Sequence, residues 1–185
     1  GRLAVMNQPQ SRIVLTADVM ESLYNDDWYI NFACTNDRSV HGFTMEEILN
    51  MDDQWWEQCH CFIQILFPNP MPSKMNPDAP IIEDFSVFDG VLKYPIAKMV
   101  NRFLKFLGVN IRKPDWSNFN RVAEWFRPDN HNILRVTRLL IFLKGVGMIA
   151  EMNKLKSFLA EYQANKIDVE LRNRMAYTMT IWQNV

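Results

Sequence analysis

Apolar residues recur at helical spacing through the whole second half of the chain. From Tyr94 to Leu107, Ile96, Met99, Val100, Phe103 and Leu107 fall on one side, while Lys98, Asn101, Arg102 and Lys105 repeat the spacing on the other. This predicts an amphipathic helix, with Gly108 placed for a left-handed C-terminal cap and Pro114 barring continuation. Ser117 is placed to cap the next helix, whose buried stripe of Phe119, Val122, Ala123 and Phe126 stops before Pro128. Asn130 then caps a long helix from about His131 to Lys144, ended by Gly145 and Gly147. Leu155, Phe158, Leu159 and Tyr162 mark a further helix, and Ile167, Leu171, Met175, Thr178 and Trp182 mark the last.

The first half is less periodic. Thr44-Met45-Glu46-Glu47 has the spacing of a capping box and predicts a short helix to about Asn50. From Asp53, the stripe Trp56, Cys59, Ile63 and Leu66 predicts one helix ending near Phe67, where Pro68 stops it. Pro68, Pro70, Pro72, Pro77 and Pro80 then make an ordered surface connection. Residues 82–89 are read as a further short helix, and Trp28 to Phe32 suits either a helix or an extended segment. Together these elements predict an all-α fold: a single compact multi-helix, bundle-like domain over 28–185 with a Pro-rich surface loop, after an N-terminal segment 1–27.

Composition adds three constraints. A chain of 185 residues, 48% hydrophobic, is long enough to bury one core. Its longest uninterrupted apolar run, Leu139 to Leu143, falls far short of the ~20 residues that cross a bilayer. Cys34, Cys59 and Cys61 are odd in number and too few for a disulfide framework, which points to an intracellular, cytoplasmic or nuclear, soluble protein.

The net charge of −1 conceals an asymmetry. Residues 1–92 hold 4 Lys/Arg against 14 Asp/Glu, and residues 93–185 hold 16 against 7. Either the halves neutralise each other, or the basic half presents a face to phosphates, carboxylates or an acidic protein.

Candidate chemistry is sparse. Cys59-His60-Cys61 has the look of a metal fragment, but no second Cys/His pair completes a four-ligand set, so no metal and no cofactor are expected. Asp53, Glu57 and His60 share a face of the predicted helix, as an acid/base site or a solvated helix face would. Phosphate-binding glycine loops and a nucleophile elbow are lacking, so no catalytic residues are assigned and the chain is not expected to be an enzyme. Arg135 and Arg138, spaced i, i+3 on an otherwise apolar helix, require acceptors: a ligand, or acidic side chains such as Glu46, Glu47 or Glu57. His131 and Asn132 open the same helix, where an anion is favoured. Lys98, Arg102 and Lys105 form a basic face, which Lys154, Lys156, Arg172 and Arg174 could extend, as a solvated helix surface or a nucleic-acid contact would. Trp55, Trp56, Trp116, Trp125 and Trp182 are expected as core or interface anchors.

Three segments carry a family likeness: Phe62-Ile63-Gln64-Ile65-Leu66-Phe67-Pro68, Arg102-Phe103-Leu104-Lys105-Phe106-Leu107-Gly108-Val109, and His131-Asn132-Ile133-Leu134-Arg135-Val136-Thr137-Arg138-Leu139-Leu140. In order and separation they resemble the conserved region of the opioid growth factor receptor family, over roughly Trp28 to Trp182. Ile65 stands where that family often has Trp, which marks a distant member. The resemblance implies an all-helical domain and, for the animal receptors, signalling receptor activity through an enkephalin-type peptide. The function expected is a non-catalytic binding or regulatory module for a peptide or protein partner, through Arg135, Arg138, His131, Asn132, Gln64, Trp55 and Trp56. The alternative is a nucleic-acid, nucleotide or anion binder using the basic C-terminal half.

Overall fold

Trp28, Tyr29, Phe32 and Ala33 are buried at helical spacing, so the segment that the sequence left open is a helix, α1 (Asp27–Cys34). The computed structural model describes residues 27–39, 42–73, 76–82, 85 and 93–185. Among them it has ten α-helices, one 3₁₀ turn and no strand. The expected segment 1–27 and the expected helix over 82–89 fall almost wholly outside the described residues. The chain divides into two compact units, 1–99 and 100–185.

In the first unit, α2 (Met45–Asn50) begins with the expected capping box. Thr44 accepts from the Glu47 N–H, and the Glu47 carboxylate accepts from the Thr44 N–H. The Arg38 guanidinium donates to the same carboxylate at 2.7 Å. Asp52 caps α3 (Asp53–Gln58). The predicted helix over 53–67 does not run through. It stops at Gln58, Cys59 is extended, and α4 (Ile63–Leu66) starts a new turn. The break lets Phe62 pack on Trp55 and Trp56, with ring centroids 4.6 and 4.7 Å away. Tyr29 donates to the Leu66 carbonyl at 2.7 Å and Trp56 Nε1 to the Ile48 carbonyl at 3.1 Å, tying α1 to α4 and α3 to α2. After Pro68 the connection is anchored by the Ile82 N–H, which donates to the Asn69 carbonyl.

Helix α5 (Lys93–Leu107) carries the backbone into the second unit, followed by the 3₁₀ turn Pro114–Trp116 and α6 (Phe119–Trp125). Asn118, not Ser117, caps α6, because the Ser117 hydroxyl is taken by the Asn110 N–H. Val122, Trp125 and Phe126 face inward, whereas Ala123, expected in that stripe, is exposed. Next come α7 (His131–Gly145), capped by Asn130, and α8 (Ile149–Asn165). The predicted last helix is two, α9 (Val169–Arg174) and α10 (Ala176–Gln183), since Asp168 caps the first and the chain turns at Met175. Helices α7, α8 and α10 pack on one another, with α6 against α7. Phe126 lies at the middle, 4.8 Å from Tyr162 and 6.0 Å from Trp182.

Candidate functional site

The last turn of α5 leaves four carbonyls without a helical partner, and each is met. Val109 N–H donates to Leu104 O at 2.9 Å and Gly108 N–H to Lys105 O at 3.1 Å. This pair is the Schellman arrangement, and it needs the left-handed conformation that Gly108 adopts at φ +76. Arg121 Nε donates to Phe106 O and Trp125 Nε1 to Leu107 O, both at 2.9 Å. The fit is tight: a Cβ on Gly108 would stand 2.9 Å from Arg121 Cβ and from the Asn118 carbonyl.

From this fixed end the chain makes a closed loop. Asn118 N–H donates to Gly108 O at 2.8 Å, and Asn110 N–H to Ser117 Oγ at 2.9 Å. The Asn110 carboxamide accepts from the N–H groups of Arg112 and Lys113. The loop holds Trp116 outward, 73% exposed, with Lys113 Nζ 3.9 Å from the ring centroid. Between loop and helix lies a cleft of about 410 Å³ lined by Leu104, Lys105, Val109, Arg112, Trp116 and Asn118, among others. No Asp or Glu is among the described residues that line it. By contrast, a cleft of about 530 Å³ between α6 and α9 sets Arg127, Lys166 and Arg174 against Asp129, Asp168 and Glu170, so its charges compensate.

The residues singled out in the sequence take varied positions. Trp55 and Trp56 are in the core of the first unit at 4% and 0% exposure, so neither indole offers a face to solvent. Gln64 is also buried there; its Nε2 donates to Ser73 Oγ at 3.2 Å, and its Oε1 accepts no hydrogen bond among the described residues. In the second unit, Asn132 and Arg135 are buried, and Arg135 donates to Asn132 Oδ1 at 3.4 Å and stands over the Phe106 ring. Arg138 and His131 are half-buried, and desolvation lowers the Arg138 pKa from its usual value. Thr137, on the same helix, accepts from Trp182 Nε1 at 2.9 Å and donates to Ile133 O. That role left no sign in the sequence.

Lys98, Arg102 and Lys105 lie on successive turns of α5, with Lys98 and Lys105 exposed. Lys98 borders a separate cleft of the first unit beside Glu46 and Tyr94. Arg172, an expected extension of the basic face, is occupied instead: it donates to the Gln163, Ala164 and Ile167 carbonyls and closes the end of α8. Lys156 likewise reaches the Gln183 and Val185 carbonyls. Asp53, Glu57 and His60 do not share a helix face, because α3 ends before His60. Among the described residues, no three His, Cys, Asp or Glu are placed to hold a metal ion. No described helix is long and apolar enough to cross a membrane.

A family model for the opioid growth factor receptor (OGFr) conserved region matches residues 19–182. No curated protein and no solved structure matches the chain. The family match spans nearly the whole sequence and agrees with the all-helical fold, and the chain belongs to the opioid growth factor receptor conserved-region family.

Proposed function

We propose that this domain is a non-catalytic, intracellular binding module that takes an acidic peptide segment of a partner protein into the cleft between α5 and the 109–118 loop. The observation that carries the reading is Trp116. Five of the six tryptophans are buried, and this one is 73% exposed on a loop hydrogen-bonded at both ends. An exposed aromatic side chain on a rigid loop supplies contact area at little ordering cost. Lys105, Arg112 and Lys113 surround it with positive charge, and the apolar lining from Leu104 and Val109 suits one buried side chain of the peptide. A second reading draws on the same exposed ring: a base of single-stranded nucleic acid stacked on Trp116, with its phosphates on the lysines.

The test is fluorescence anisotropy with Asp/Glu-rich peptides carrying one Leu or Phe, set beside oligo-dT. Peptide binding that weakens with salt, and falls about tenfold or more in Trp116→Ala and in Arg112→Glu, supports the proposal. Tighter binding of oligo-dT with the same dependence on Trp116 supports the second reading. Binding unaltered by both substitutions overturns both.

A further inference from the structure

We propose that Cys59 and Cys61 form an oxidisable dithiol that closes to a disulfide within the folded first unit. The pair lies between α3 and α4, where the chain leaves the helical path. Cys59 has φ −83 and ψ 130, an extended conformation. In extended chain, residues i and i+2 point to the same side, so the break that separates His60 from the α3 face also brings the two thiols together. Their Sγ atoms are 2.8 Å apart, close enough for one thiol to donate to the other, and both cysteines are in the thiol form. A helix through 53–67 would have placed them on different faces.

The surroundings set the order of events. Cys59 is fully buried, whereas Cys61 is 7% exposed and offers the entry for a small oxidant such as hydrogen peroxide. The Cys61 thiol releases its proton and its sulfur attacks one peroxide oxygen; an S–O bond forms, the O–O bond breaks, and the leaving hydroxide takes up that proton as water. The Cys59 sulfur, already in contact, then attacks the Cys61 sulfur; the S–S bond forms, the S–O bond breaks and the sulfenic oxygen departs as a second water. One dithiol and one peroxide yield one disulfide and two waters, and a thiol reductant reverses the change. In a reducing compartment such a bond is transient and suited to sensing. Trp55 and Trp56 pack on Phe62, the residue after Cys61, so their fluorescence reports the change.

The experiment treats the reduced, folded chain with hydrogen peroxide, denatures it, alkylates it with iodoacetamide and maps the peptides by mass. The proposal expects the peptide holding Cys59 and Cys61 to lose two hydrogens and escape alkylation, with full reversal by dithiothreitol. It expects Cys59→Ser to accumulate a Cys61 sulfenic acid trapped by dimedone. Exposed Cys34 serves as the comparison thiol. Alkylation of both Cys59 and Cys61 after peroxide treatment would overturn the proposal, as would a disulfide that forms only in urea. The peptide map of the unsubstituted chain decides the matter even if Cys59→Ser does not fold.

Discussion

Replacing Gly108 with Ala tests how tightly the candidate cleft is built. The new Cβ enters a site at φ +76, where an L-residue costs about 1 to 2 kcal/mol. It also meets Arg121 Cβ, Arg121 Cγ and the Asn118 carbonyl, each at 2.9 Å. Two of these contacts cannot swing away cheaply, since one atom is backbone and the other is fixed to it. Overpacking of this kind costs about 1 to 3 kcal/mol, against a gain of about 0.4 to 1 kcal/mol from stiffening the unfolded chain. The net loss is therefore about 1 to 4.6 kcal/mol. Gly147 is the matched control. It has φ +79 and ends α7 with the same two bonds, Met148 N–H to Leu143 O and Gly147 N–H to Lys144 O, but a Cβ there meets nothing within 4 Å. Gly147→Ala lacks the overpacking cost and should lose only about 0 to 1.6 kcal/mol. Both glycines lie in the second unit, so urea unfolding followed by circular dichroism compares them on the same transition. Equal losses for the two variants would refute the close approach of α5 and α6 on which the cleft depends.

Further outcomes follow from other contacts. Acrylamide should quench one accessible tryptophan in the folded chain, and Trp116→Phe should abolish that component, because the other five indoles are buried; strong quenching left in the variant would contradict it. Burial, and then the charge of Cys34, hold the Tyr29 pKa well above its ordinary 10.0. The phenol thus stays protonated when folded while the unfolded chain releases its proton, so its stabilisation is full below about pH 10 and is lost as pH rises further. Tyr29→Phe should cost about 1 kcal/mol at neutral pH, through the bond to Leu66 O, and flatten the alkaline part of the stability curve; an unchanged slope would count against the assignment. Arg172→Met should lower stability by about 1 kcal/mol and speed amide exchange at the end of α8, where its three acceptor carbonyls lie; unchanged exchange would deny the capping role.

How far the sequence foretold this depends on whether a local rule governed each element. The Thr44 capping box, the α5 stripe with Gly108 and the Asn130 cap of α7 are local signals, and each holds. The break at Cys59 has no Gly or Pro to announce it. Trp56, Cys59, Ile63 and Leu66 match helical spacing, yet packing of Phe62 on two indoles outweighs that pattern. Ser117 and Asn118 are adjacent capping types, and only the bond from Asn110 settles which one caps. The i, i+3 placement of Arg135 and Arg138 was legible, but the Asn132 and Phe106 contacts of Arg135 were not, because the helix alternates polar groups without naming their partners. Trp116 is among the tryptophans expected as core or interface anchors, and the sequence alone does not say which. Its exposure depends on a loop held by Asn110, Ser117 and Gly108, which no periodicity encodes.

The most direct measurement of the binding proposal is a two-dimensional nitrogen–proton NMR titration of the domain with an Asp/Glu-rich peptide bearing one Leu. The Trp116 indole signal and the amides of Lys105, Val109 and Arg112 should shift together, while the Trp125 and Trp182 indoles, bonded to Leu107 O and Thr137 Oγ1, stay in place. Shifts confined to other surfaces, or a stationary Trp116 indole at saturating peptide, would contradict it.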